Sequence, residues 1–121
     1  VFVSSILAWQ GVPLQGHYGA TKAYIQSLGE ALHAEWSEQG VDVLVAAPGP
    51  VATNFGKQAG MNQAKADDAV EVAREIVESL GRKRTVVPGK LGKLLTGLLA
   101  TAPRALRIRI MANVIRGSLP S

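Results

Sequence analysis

Val41-Asp42-Val43-Leu44-Val45-Ala46-Ala47 runs straight into Pro48-Gly49-Pro50. A β-branched, apolar run halted by a Pro-Gly-Pro turn reads as a buried strand with a sharp end. Strands of this kind belong to parallel sheets covered by helices, so helices are expected on either side of it in the chain. Upstream, residues 18–38 hold no Pro and mostly good helix formers, and Gly40 stops the run. Further upstream, Val1-Phe2-Val3 is a short apolar strand ending at Ser4-Ser5, and Gly11, Pro13 and Gly16 mark a loop after it. Downstream, Asp67-Asp68 place acids where a helix N-terminus favours them, and Gly81 can end that helix. Thr85-Val86-Val87-Pro88 is a third short strand. Strand, helix, strand, helix, strand predicts an α/β fold with a parallel sheet.

The helical wheels make sharper predictions. In the first helix Ile25, Leu28, Leu32 and Trp36 form a large apolar stripe suited to the sheet. Ala20, Ala23, Ser27, Ala31 and Ala34 form a second stripe of small residues. These either simply favour helix or let another helix come close. In the second helix the apolar face is expected at Ala66, Ala69, Val70, Ala73, Ile76, Val77 and Leu80. Near the C-terminal end Leu91, Leu94, Leu95, Leu98 and Leu99 form a stripe with Lys93 and Thr96 away from it. Pro103 separates this from a further helical run, Arg104 to Arg116.

Length and composition bound the function. The 121 residues allow one domain at most and enough chain for a core. With no Cys and two His, a disulfide scaffold and a zinc site are both excluded as working ideas. Residues 1–21 carry no charge, yet Gln10, Pro13, Gln15 and His17 interrupt any membrane span. A basic start, as a signal peptide needs, is lacking, so a cytoplasmic protein is expected. The net charge of +4 conceals a split. Residues 1–80 hold four basic and nine acidic residues; residues 81–121 hold nine basic and none acidic. The basic end fits three roles: covering a substrate pocket, joining a partner subunit, or resting on an anionic membrane surface. Nothing aromatic is interleaved with the basic residues, so no nucleic-acid partner is expected.

One pair carries chemistry. Tyr18 and Lys22 stand at i and i+4 on one helix face. A phenol with a pKa of about 10 is a poor acid–base catalyst at neutral pH, and a nearby ammonium favours its phenolate. Such a pair is a proton donor for alcohol–carbonyl interconversion. Ser5 ends a strand thirteen positions earlier, at the edge where parallel α/β sheets hold ligands, though a Ser there also serves as a helix cap. Pro48-Gly49-Pro50-Val51-Ala52-Thr53 brings backbone groups and a hydroxyl to the same edge.

Together, Ser4 to Lys22 and Pro48 to Thr53 resemble the classical short-chain dehydrogenase/reductase family, over roughly residues 1–90. The resemblance implies the C-terminal half of a Rossmann-like parallel sheet, over residues 1–89, followed by a basic helical extension, 90–121. It implies an NAD- or NADP-dependent oxidoreductase. Tyr18 would be the general acid or base. Lys22 would favour the phenolate and hydrogen-bond the nicotinamide ribose. Ser5 would hold and polarise the substrate oxygen. Pro48, Gly49, Val51 and Thr53 would line the nicotinamide, residues 54–65 would form the substrate loop, and Trp9 or Phe55 would wall the pocket. A homo-oligomer through the 18–38 helix is expected. The chain departs from the family in lacking a Gly-rich strand-to-helix turn and the tetrad Asn, and in having Leu7-Ala8 where Ala-Gly is usual. Alone, it is expected neither to bind dinucleotide tightly nor to turn over. The competing reading is a non-catalytic binding or assembly module.

Overall fold

A computed structural model describes residues 1–54, 58 and 66–119. Strand β1 (Phe2–Val3) leads through a short 3-10 turn (Ile6–Trp9) into helix α1 (Gly16–Ser37) and strand β2 (Val45–Ala46). Two further short strands, β3 (Val51–Ala52) and β4 (Asp67–Asp68), precede helix α2 (Ala69–Ser79) and strand β5 (Thr85–Val86). Helices α3 (Lys90–Ala100) and α4 (Arg104–Ser118) close the chain. The main sheet is parallel, in the order β1-β2-β5, which is the α/β arrangement expected from the alternation of elements. Its hydrogen bonds run past the formal strand ends, from Phe2 N–H to Leu44 O, Val45 N–H to Arg84 O and Ala47 N–H to Val86 O. Residues 43–47 are buried throughout, as an apolar run in a covered central strand must be. β3 and β4 form a second, two-stranded parallel sheet.

In α1, α2 and α3 the buried face takes in only part of the expected apolar stripe: Ile76 in α2 and Leu91, Leu95 and Leu99 in α3 face inward, but other stripe residues do not. In α1 the buried positions are Gly19, Gln26 and Gly29. Leu28 and Trp36 of the expected sheet-facing stripe are exposed, while Ile25 and Leu32 are only partly covered. Gly29 explains the rotation: a Cβ there would stand 2.4 Å from Val45 Cγ2 and 3.4 Å from the Phe2 ring. The helix backbone thus lies almost on the sheet, and only a residue without a side chain fits. Polar residues complete this face. Gln26 Nε2 donates to Thr85 Oγ1 at 3.2 Å, and His33 Nδ1 donates to the Val43 carbonyl at 2.7 Å.

In α2 the inward residues are Val72, Ile76 and Ser79, whereas Val70 and Val77 are 66% and 70% exposed. Asp68 caps the helix through Val70 N–H and Glu71 N–H. Glu75 sets its rotation by accepting from Gly89 N–H and pairing with Lys93 of α3. In α3 Gly92 and Leu99 are buried and Thr96 is partly so, while Leu94 and Leu98 point outward. A Cβ on Gly92 would meet Gly49 N at 3.1 Å, so two backbones cross here at close range.

Burial by itself would raise the Glu75 carboxyl, but the Lys93 ammonium, Gly89 N–H and Lys83 outweigh it and hold it below the ordinary carboxylate value. A carboxyl whose folded value is depressed adds stability that is present above its unfolded value. That stability is lost as pH falls from there, about 4.3 for Glu, through the folded value. Glu75→Gln is therefore expected to lower stability by about 1 kcal/mol at pH 7. Melting curves of parent and variant should converge below about pH 4.

Candidate active site

The parallel ladder gathers the chemically interesting residues at the carboxyl edge of the sheet. Beyond β1, Ser4 N–H donates to Ala46 O at 2.7 Å and Ile6 N–H to Pro48 O at 3.1 Å. The segment holding Ser5 is thereby zipped to the start of the Pro48-Gly49-Pro50 turn. Ser5 is buried, and its Oγ accepts from Leu7 N–H at 3.2 Å, capping the 3-10 turn. The cap uses one lone pair of the hydroxyl and leaves its O–H available as a donor.

Helix α1 is stitched to the same place by two bonds from one residue. Ser4 Oγ donates to the Lys22 carbonyl at 3.0 Å, and Lys22 Nζ donates to the Val3 carbonyl at 3.0 Å. Lys22 Nζ also lies 5.6 Å from the centre of the Tyr18 ring, a cation–π distance. Tyr18 is 40% exposed, one turn N-terminal to Lys22. Tyr18 and Lys22 therefore lie together beside the end of β1, from which the Ser4-Ser5 segment leaves. Gly19, on the same helix turn, is buried against Val12 and Leu7, where a Cβ would stand in ordinary contact, 3.4 Å from Val12 Cγ2 and 3.5 Å from the Leu7 carbonyl.

Across the edge, a Cβ on Gly49 would stand 2.9 Å from Gly92 Cα, so this glycine is demanded by the crossing with α3. Val51 is half-buried in β3 and Thr53 is exposed beyond it. Trp9 is partly buried in the 3-10 turn, and its carbonyl accepts from Arg104 of α4 at 3.4 Å. Phe55, and residues 54–65 apart from 54 and 58, lie outside the described residues.

One residue important to the architecture was not singled out by its sequence context beyond opening a helix. Asp67 pairs with Val51 in the small sheet, and its carboxylate accepts from Lys90 N–H and Leu91 N–H at the start of α3. The signal was Gly89, whose φ of +88° and lack of Cβ make room for that carboxylate. Asp67 thus joins the Pro48–Thr53 loop to the C-terminal helices. Among the described residues no cluster of His, Asp and Glu could hold a metal ion, and no helix is long and apolar enough to cross a membrane.

Comparison with known proteins agrees with this geometry. The short chain dehydrogenase family model matches residues 1–64, the part that holds every residue of the converging edge. The chain is 33% identical to dehydrogenase/reductase SDR family member 7B of Rattus norvegicus, over 96% of this chain and 39% of that protein. Among solved structures it resembles a 7beta-hydroxysteroid dehydrogenase, with a TM-score of 0.77 and 30% identity over 90% of this chain and 44% of that one. It also resembles a short chain dehydrogenase from Burkholderia cenocepacia J2315 in complex with NADP, with a TM-score of 0.73 and 26% identity over 91% of this chain and 46% of that one. The chain spans about two-fifths of the length of the curated relatives it matches. A matching family model over more than half the chain, and a parallel sheet with Ser5, Tyr18 and Lys22 drawn to one edge, place this chain in the short chain dehydrogenase family.

Proposed function

We propose that this chain is the catalytic-edge portion of an NAD- or NADP-dependent oxidoreductase that interconverts a carbonyl and an alcohol. The observation that carries the reading is the convergence of Tyr18, Lys22 and the Ser5 segment, held by the two Lys22 bonds. The residues present fit the nicotinamide–ribose end of such a cofactor. Lys22 Nζ uses one N–H on Val3 O and keeps two for ribose hydroxyls. In this reading Pro48, Gly49, Val51 and Thr53 would line the nicotinamide beside it. The cofactor, when bound, supplies the hydride chemistry. Its pyrophosphate end needs a Gly-rich turn that these 121 residues do not include, and the remaining length of the relatives would provide it.

In this reading the Ser5 O–H donates to the substrate oxygen and polarises it. Tyr18 gives its phenolic proton to that oxygen in reduction and takes it back in oxidation. Lys22 keeps positive charge beside the phenolate so formed. The test is carbonyl-dependent NAD(P)H oxidation by the intact protein. Ser5→Ala is expected to reduce turnover about 100-fold through loss of that donor. It should also lower stability by about 1 kcal/mol through loss of the cap. Activity within threefold of the parent would remove Ser5 from the mechanism.

The same reading places the protein in the cytoplasm and assembles it through α1. Tyr24, Leu28 and Trp36 stand exposed along that helix, and the small stripe of Ala31 and Ala34 lies open beside them. Sedimentation of the intact protein should show an oligomer that Ala31→Gln weakens. An unchanged oligomer would exclude this face. The basic α3–α4 segment packs on the site segment, with Ile108 Cδ1 standing 3.7 Å from the Cβ position of Gly11. That contact supports a pocket-covering role for it over a role at a membrane.

A further inference from the structure

From the packing of α3 and α4 on the site segment we infer that the cleft between them and the 3-10 turn binds a small apolar carboxylate through Arg107 and Thr96. Ile6, Trp9, Gln10 and Leu99 wall a cavity of about 200 Å³ that these two residues complete. Arg107 Nε and Thr96 Oγ1 are both buried there, and neither has a hydrogen-bond partner among the described residues.

A guanidinium N–H shut away without an acceptor is unfavourable, and native structures rarely leave one. Among the described residues Arg107 makes no ion pair, and its own segment, residues 81–121, contains no Asp or Glu. Gln10, the other polar side chain of the wall, turns its Nε2 to the Ile6 carbonyl at 3.2 Å. A water would satisfy the hydroxyl or Nε–H alone, whereas an anion would also meet the positive charge of the half-buried guanidinium. An anion meets both demands.

The donor set selects the anion. Two donors, one N–H and one O–H, match the two oxygens of a carboxylate. A phosphate would bring more oxygens and more charge than these groups can meet. The apolar remainder of the wall suits a short hydrocarbon, so the ligand is a small carboxylic acid with an apolar body.

Its position connects it to the reaction, a step that rests on the proposed oxidoreductase function. Ile6 directly follows Ser5, and Ile6 Cδ1 lies 3.6 Å from the Cβ position of Gly49. One side chain thus separates the cleft from the edge where Ser5 and the Pro48 turn meet. The substrate class is then a small oxo or hydroxy acid, its carboxylate on Arg107 and its carbonyl or hydroxyl toward Ser5.

Isothermal titration of the intact protein with hexanoate and with 1-hexanol tests the cleft. Hexanoate is expected to bind at least about tenfold more tightly, because only it engages a charged donor. Arg107→Leu should abolish that preference, Arg107→Lys should retain part of it, and Thr96→Val should weaken hexanoate a few-fold. Equal binding of acid and alcohol, or no binding of either, overturns the inference without any variant. So does an Arg107→Leu protein that keeps the preference. Tyr18→Phe should bind hexanoate like the parent, so failure of the oxidoreductase reading would appear in turnover and leave the titration standing.

Discussion

Tyr18→Phe in the intact protein is expected to lower kcat by about 10³-fold, the scale of a lost general acid. Binding of NAD(P)H should change by less than about threefold, since a neutral hydrogen bond is worth little more than that. The substitution is narrow by construction. Phenylalanine keeps the ring, its place on α1 and the 5.6 Å approach of Lys22 Nζ, and removes only the oxygen. Stopped turnover with retained cofactor binding would assign the proton to that oxygen. A variant within tenfold of the parent would show that the proton moves elsewhere. Lys22→Met is expected to behave differently, weakening cofactor binding and turnover together. It removes the ribose contact and also the bond to Val3 O that pins α1 to β1.

The second large effect is on stability. Gly29→Val should destabilise the protein by about 3 kcal/mol, near the top of the range for overpacking. Its Cβ position already lies 2.4 Å from Val45 Cγ2, and Val45 is fully buried with a stiff β-branched side chain. Neither partner can turn aside, so helix and sheet must separate. A fall in melting temperature of about 10 °C is expected. Ala73→Val, at an exposed position of α2, should change stability by only about 0.5 kcal/mol. Equal melting of the two variants would show that α1 does not approach the sheet as described.

Gly29 also marks where the sequence was legible and where it was not. The strands and helices followed from apolar runs and their Gly and Pro boundaries. Gly40 and Gly81, both with φ of +76°, stand where helices α1 and α2 end. Local chemistry sets such boundaries, so a sequence displays them. Which face of each helix meets the sheet depends instead on how closely two backbones can approach. Glycines decide this at Gly29 against Val45 and at Gly92 against Gly49. A wheel that ranks residues by hydropathy gives those positions little weight and assigns the face to Leu28, Trp36, Leu94 and Leu98, all exposed.

The chemical edge was more legible than the packing. Ser5, Tyr18, Lys22 and the Pro48 turn are fixed by strand ends and one helical turn, all short-range in sequence or in the ladder. Arg107 and Thr96 were not legible as a pair. Arg107 lies in a basic segment whose sequence fitted three roles at once, and Thr96 on a helix side assigned away from the apolar stripe. The charge division at residue 80 hid a similar relation. Lys93 pairs with Glu75 and Arg104 reaches the Trp9 carbonyl, so the acidic and basic stretches hold each other in place.

The two-residue pairing of β3 with β4 has a consequence for how such a protein diversifies. Val51 and Ala52 are bound in register to Asp67 and Asp68, so the chain leaves and re-enters the scaffold at a fixed doorway. The number of residues between the two strands is not set by their pairing. Doubling the length of the stretch between them would cost only about 0.6 kcal/mol in closure entropy, because the ends are already held together. Natural variation in the length of that stretch can therefore leave the β3–β4 pairing in place, and with it the edge where Ser5, Tyr18 and Lys22 stand.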